Sequence, residues 1–570
     1  MFRALALFLV AAIGLWAGGC QPAASPVPSP DTPSGQAQVD GAGSQTRGGQ
    51  PQGDQPAGSR SEPSAASADS EWVLSDPPPD GEVLEEFWEV HRLQGSRVGV
   101  AHTTLSRVQH EGQTLLRIRN LTRTQLHRAG MPTRQEMEIT SWQTPEGRWV
   151  AFESRVASAA PGPGSGGSAT RLGRDGANAA VIWTRGTVRG QELELITQTL
   201  GHQQRRTLAW QPDWGGPFAV DVALRSRPMQ PGEQRTVWGL VPVVHVPAAT
   251  DLKAHDYEPV DLPGGVQRLL KVEAVTRFGQ QTIVSQLWLD AQGRTFRSWI
   301  PAIEQEIVRT TREEALRPAE GKPLDLLAAS VVPLRGDRVP SPHARTIVYR
   351  ARRTDGPIQG LFFEGPGQQV RLVDEQTAEL RVEVITPQVP AELPATHRLA
   401  PPGDAERRPS NFVQSDDPQI VAMARQAAGR ETEAWRVACA LERFVSEAVR
   451  NKDFSQAFAT AAEVARTLEG DCTEHAVLLA ALCRAQQIPA RVAFGLVYYP
   501  PQRGFAYHMW TEVWIADRWV PLDATVGQGR VGPDHLQLGH SSLEGDTALA
   551  DLLGIVSVFG RLELEILEEQ

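Results

Sequence analysis

The chain has 570 residues, room for three or four domains. Acidic side chains outnumber basic ones, 67 to 56, for a net charge of −11. No basic cluster breaks that balance, which argues against nucleic acid as a partner. Four cysteines are too few for a disulfide scaffold.

Arg3 is followed by an apolar run over residues 4–17 and then by Gly18-Gly19-Cys20. A run this short is a targeting segment, not a membrane span. Small residues directly before a cysteine resemble a bacterial lipoprotein signal, which implies cleavage before Cys20 and lipid on its thiol. Residues 1–20 are therefore expected to be a signal peptide. The mature chain would sit in the cell envelope, lipid-anchored on the periplasmic or extracellular face of a membrane. Residues 21–75 are Pro, Ser, Gly, Gln and Ala with almost no large apolar side chains. They cannot bury a core and read as a tether of about 40 Å root-mean-square span.

Residues 76–324 alternate apolar and polar positions between short turns and read as antiparallel strands. Trp142 leads through Pro145-Glu146-Gly147 into Arg148-Trp149. Much later Trp288 leads through Asp290-Ala291-Gln292-Gly293 into Arg294. The echo suggests a duplicated, curved sheet, interrupted by a Gly/Pro/Ser loop at 161–167. His102, His127 and His202 have no metal-ligand spacing and read as ordinary histidines. Residues 325–397 form a further strand-rich segment, expected to be a small β domain, and 398–414 a linker.

From 415 to 570 the pattern changes. Asp417-Pro418 is an N-cap followed by proline at the first helical position, and Gly429 ends that helix. A second helix is expected over 431–449, and Thr460 with Glu463 opens a third, ending at Gly470. Asp471 and Glu474 then form a capping box for a helix whose Val477-Leu478-Leu479-Ala480-Ala481-Leu482 run is apolar nearly all round and hence buried. Cys472 falls in its first turn, where unpaired N–H groups favour a thiolate and could hold an oxyanion. Asp471 opposes that effect, so the thiol needs a cationic partner.

His508 lies in a strand over 507–515, followed through Ala516-Asp517 by a second strand over 518–523. A two-residue loop sets Trp514 opposite Trp519 and Trp510 opposite Asp523. His508 is then one diagonal step from Asp523 on the same face. His475, one turn after Cys472, reads as a packed helix residue. Trp510, Trp514 and Trp519 read as cross-strand packing, with the lining of an acyl pocket as the alternative for one of them, and Cys439 and Cys483 as core cysteines, with a bridge between them as the alternative.

Four blocks appear in order: Gly470-Asp471-Cys472-Thr473-Glu474-His475-Ala476, Ile488-Pro489-Ala490-Arg491-Val492, His508-Met509-Trp510-Thr511-Glu512-Val513 and Trp519-Val520-Pro521-Leu522-Asp523. Together they resemble the bacterial transglutaminase-like superfamily over roughly residues 415–545. The resemblance implies a papain-like α+β core in which Cys472 is the nucleophile, His508 the general base and acid, and Asp523 the group orienting the imidazole. The expected fold is thus a C-terminal α+β catalytic domain behind large antiparallel β regions. The expected function is thiol acyl transfer on peptide or protein amides, with no cofactor and no metal. The rival expectation is a non-catalytic scaffold lipoprotein whose β region binds protein or lipid.

Overall fold

The computed structural model describes residues 81–110, 112–128, 131–159, 180–199, 202–278, 281–319, 323–341, 343–387, 401–450, 459–544 and 560–570. The expected signal peptide with Cys20, the expected tether over 21–75 and the expected loop at 161–167 lie outside the described residues. No helix among the described residues is long and apolar enough to cross a membrane.

Strands dominate. Fourteen of them form one antiparallel sheet built from two meanders, eight strands from Glu82–Leu93 to His202–Ala209 and six from Gln234–Val241 to Gln305–Thr310. Pairing of the first strand with the last, Trp88 opposite Thr310 through Leu93 opposite Gln305, joins the meanders. Along Val246–Leu262 buried and partly exposed residues alternate, the mark of a strand with one face on the core. The two echoing turns have the same hydrogen bonds. Thr144 and Arg148 are bonded N–H to carbonyl, as are Asp290 and Arg294, and Gly147 and Gly293 each close the turn at positive φ. Both hairpins also carry a register shift just before the turn.

The second sheet has nine strands drawn from two separate stretches of sequence. Val332–Arg335, Thr346–Arg353, Gln368–Leu372 and Thr377–Glu383 come from the segment before residue 400. Ala490–Tyr499, Gly504–Ile515, Arg518–Leu522, His535–Ser541 and Leu562–Glu569 come from after it. Leu562–Glu569, the alternating stretch at the tail, lies in the interior of this sheet. It pairs antiparallel with Thr346–Arg353 and parallel with Val332–Arg335. Alternation sets which side of a strand is buried, not how many neighbours it has.

Helices cluster ahead of the site: Pro418–Ala428, Ala434–Ala448, Ala461–Thr467 and Cys472–Ala485. The Asp417 side chain caps the first and Gly429 ends it, as the sequence indicates. The Ala461–Thr467 helix stops at Leu468, in the left-handed region, two residues before Gly470. One continuous apolar core runs from Leu93 and Val98 of the first sheet through Leu326 and Val332 to the helix that starts at Cys472.

Candidate active site

The helix that begins at Cys472 is buried along nearly its whole length, from Cys472 to Arg484. Its start is fixed by local chemistry. Asp471 accepts a hydrogen bond from the Thr473 N–H at 2.9 Å, and Glu474 accepts from the Asp471 N–H at 2.9 Å. The second Glu474 oxygen accepts from the Ala459 N–H at 3.0 Å, so this carboxylate also ties down the incoming chain. Gly470 has φ +149°, and a Cβ there would sit 2.3 Å from the Glu474 Cβ. Only glycine lets the chain pass this close to the capping glutamate. His475 donates from Nδ1 to the Asp471 carbonyl at 2.5 Å, which makes it part of the helix start.

The hairpin has the expected register: Ile515 faces Arg518, Trp514 faces Trp519 and Thr511 faces Leu522. Ala516 and Asp517 both have positive φ, the two-residue turn that matches strand twist. Asp523 follows directly. Its Oδ1 accepts from the Thr525 N–H at 2.9 Å, which locks the carboxylate to the turn. Its Oδ2 is 2.7 Å from His508 Nε2. An ionised carboxylate only accepts, so His508 carries its proton on Nε2 in the neutral state and Nδ1 is left basic. Nδ1 is buried and has no hydrogen-bond partner among the described residues.

Cys472 is fully buried. Its helix packs on the His508 strand, where Thr511 Oγ1 donates to the Ala476 carbonyl at 2.9 Å. At the far end Arg484 donates to the Ala490 carbonyl, and Ala490 pairs with Val513.

Sequence reading missed three groups. His535, the first residue of the His535–Ser541 strand, places Nε2 3.3 Å from Asp523 Oδ2, and its Nδ1 is 3.0 Å from Asp534 Oδ1. Glu442, on the Ala434–Ala448 helix, accepts from the Gly529 N–H at 3.1 Å. No local pattern marks His535, because its meeting with Asp523 is made by strand order across the sheet. Tyr349 donates its hydroxyl to the Pro533 carbonyl at 2.9 Å and so anchors the chain just ahead of His535. Trp510 flanks both imidazoles, 6.2 Å from the His508 ring and 5.4 Å from the His535 ring, which themselves lie 5.5 Å apart.

Burial alone would raise the Asp523 carboxyl, but the charges and hydrogen bonds of His508 and His535 hold it well below the usual carboxylate range. Burial and then the Asp523 charge push Glu442 up to about 8, which leaves it a neutral acid at neutral pH. Burial raises the other thiols, Cys439 to about 11 and Cys483 further still. Both are inert as nucleophiles.

His508, Asp523 and His535 bring three ligand-type atoms within 4.8 Å of one another. Asp523 Oδ2 meets His508 Nε2 at 2.7 Å and His535 Nε2 at 3.3 Å. The trio is built as a hydrogen-bonded chain. Beside it opens a cleft whose walls include Trp510, Trp519, Val531, His535 and Phe363.

Residues 421–524 match the sequence model of the transglutaminase-like superfamily. No curated protein matches the chain. Among solved structures, a candidate cysteine protease from Cytophaga hutchinsonii is 17% identical, with 40% of this chain and 89% of that one covered at a TM-score of 0.27. A beta-barrel-like protein from Brucella abortus, of a domain family of unknown function, is 10% identical, with 40% and 94% covered at a TM-score of 0.28. A candidate protease from Parabacteroides distasonis is 8% identical, with 64% and 68% covered at a TM-score of 0.17.

Proposed function

With residues 421–524 a transglutaminase-like core, we propose that the protein is a thiol acyl-transfer enzyme acting on peptide or protein amides, held at a membrane by lipid on Cys20. Cys472 is the nucleophile, His508 the general base and acid, and Asp523 the group that orients the imidazole. The observation that carries this reading is the 2.7 Å contact of His508 Nε2 with Asp523, which leaves a buried Nδ1 as the free basic nitrogen.

His508 Nδ1 takes the proton from Cys472 Sγ, and the thiolate attacks the amide carbonyl carbon. As the C–N bond breaks, Nδ1 returns that proton to the leaving amine, and a thioester on Cys472 remains. An acceptor then loses a proton to Nδ1 and attacks the thioester, and the thiol is re-formed as the second product leaves. Water as acceptor gives a peptidase or amidase, the favoured outcome here. An amine gives a transamidated product. The cleft beside Trp510 and His535 offers an apolar wall for a substrate side chain.

The test is incubation with a peptide library, with intact-mass detection of acylated protein and tandem mapping of the adduct. An adduct on Cys472, absent in His508→Ala, supports the reading. Turnover that persists in Cys472→Ser refutes it. The second reading, a scaffold whose triad is not used, is favoured by the complete burial of Cys472. It predicts partner binding unchanged by Cys472→Ser and no adduct.

A further inference from the structure

His535 stands outside the proposed triad, yet its ring is the most constrained group in the site. Nδ1 faces Asp534 Oδ1 at 3.0 Å and Nε2 faces Asp523 Oδ2 at 3.3 Å. A neutral imidazole has one N–H and can satisfy one carboxylate; two carboxylates on opposite nitrogens call for both protons. The side chain is 6% exposed, so water does not answer for either nitrogen.

We propose that His535 is a standing imidazolium that positions Asp523, so that the triad works as a four-membered chain His508–Asp523–His535–Asp534. The proposal rests on the reading of Cys472, His508 and Asp523 as a thiol triad, and extends it. His535 is a positioning residue: it acts through the Asp523 oxygen that it shares with His508.

The charges around this chain are few. Asp523 and Asp534 are negative and His535 positive. Glu442 faces Asp523 from the Ala434–Ala448 helix as a neutral acid, and Tyr349, from the Thr346–Arg353 strand, stays protonated with its hydroxyl on the Pro533 carbonyl. One net negative charge then remains on the Asp523–His535–Asp534 part of the chain, beside His508. Without the His535 cation, Asp523 would be harder to ionise and the region around Cys472 would lose positive charge. Burial works against the charge on His535, but Asp534 and the two hydrogen bonds outweigh it and bring the group to about 9. A histidine raised in this way adds stability that is complete below its unfolded value near 6.5 and is lost as pH rises through about 9.

The experiment uses the full chain with ¹⁵N-labelled histidine. Ring-nitrogen shifts of His535 are recorded between about pH 6 and 8, in wild type and in Cys472→Ser. Two protonated nitrogens in both proteins are the expected result; one protonated and one bare nitrogen would overturn the proposal, whatever Cys472 does. His535→Gln is then compared with wild type by the pH profile of Cys472 alkylation with iodoacetamide. The acid limb is expected to move up by about one pH unit or more, and His535→Arg to restore it. An unmoved limb in a folded His535→Gln protein would also overturn the proposal. If Cys472 fails to react in every protein, the thiol-enzyme reading falls while the nitrogen shifts still decide the state of His535.

Discussion

In the fourteen-stranded sheet, many of the polar groups taken out of water are neutral and answer one another. Asn120 donates to Thr103 and accepts from Thr122, each at 2.9 Å, and the Thr250 and Thr276 hydroxyls meet at 3.0 Å. Where that sheet buries a charge, as at Glu136, the guanidiniums of Arg123 and Arg155 still reach solvent. The region around the candidate site does the opposite. His508 and Asp523 are 1% and 2% exposed, and Arg491 pairs with Glu512 at 2.7 Å with both at 6%. Arg484 is buried against the carbonyls of Ala490, Arg408 and Ser542. A satisfied neutral pair costs little to bury, whereas each desolvated ion costs several kcal/mol before pairing repays it. Buried ions held away from solvent thus mark the region of the candidate site, while the buried carboxylate at Glu136 in the first sheet keeps partners that reach water.

The contrast can be broken at several points. Cys472→Ser should reduce amide turnover by about 10⁴-fold or more with the unfolding midpoint little changed; turnover assays and thermal melts check both halves. Arg491→Leu strands Glu512 as an unpaired buried charge and should destabilise the protein by about 3–5 kcal/mol. The double variant Arg491→Leu/Glu512→Leu should recover most of that loss, as read by denaturant unfolding. In the first sheet, Asn120→Ala leaves two neutral hydroxyls short of a partner and should cost only about 1–3 kcal/mol. A loss there as large as for Arg491→Leu would erase the distinction between the regions.

Glu442 gives the smallest and most specific effect. A carboxyl raised to about 8 binds its proton more tightly folded than unfolded. Its contribution is complete below its unfolded value near 4.5 and is lost as pH rises through about 8. Glu442→Gln keeps the neutral shape, so its melting temperature should fall less than that of wild type between those limits. Parallel curves for the two proteins would mean that Glu442 is ionised.

The parts of this site that were legible in the sequence are those set by short-range chemistry. Asp471 with Glu474, and Thr460 with Glu463, fixed two helix starts through capping boxes. The two-residue loop at Ala516-Asp517 fixed the register that brings His508 to Asp523. Boundaries drifted where propensity is weak: the helix expected over 431–449 runs from Ala434 to Ala448. What stayed hidden depends on strand order. The pairing of Ala490–Tyr499 with His535–Ser541 delivers His535 to the far side of Asp523, and no spacing announces it. The tail strand likewise pairs with two strands of the segment before residue 400, which alternation alone could not show.

The most direct test of the central claim is the pH dependence of Cys472 alkylation, resolved by mass spectrometry, in wild type and His508→Ala. The account predicts rapid modification of wild type well below the ordinary thiol value of about 8.5, lost in His508→Ala, with Cys439 and Cys483 silent throughout. Slow modification of Cys472 in both proteins, rising only above that value, would contradict it.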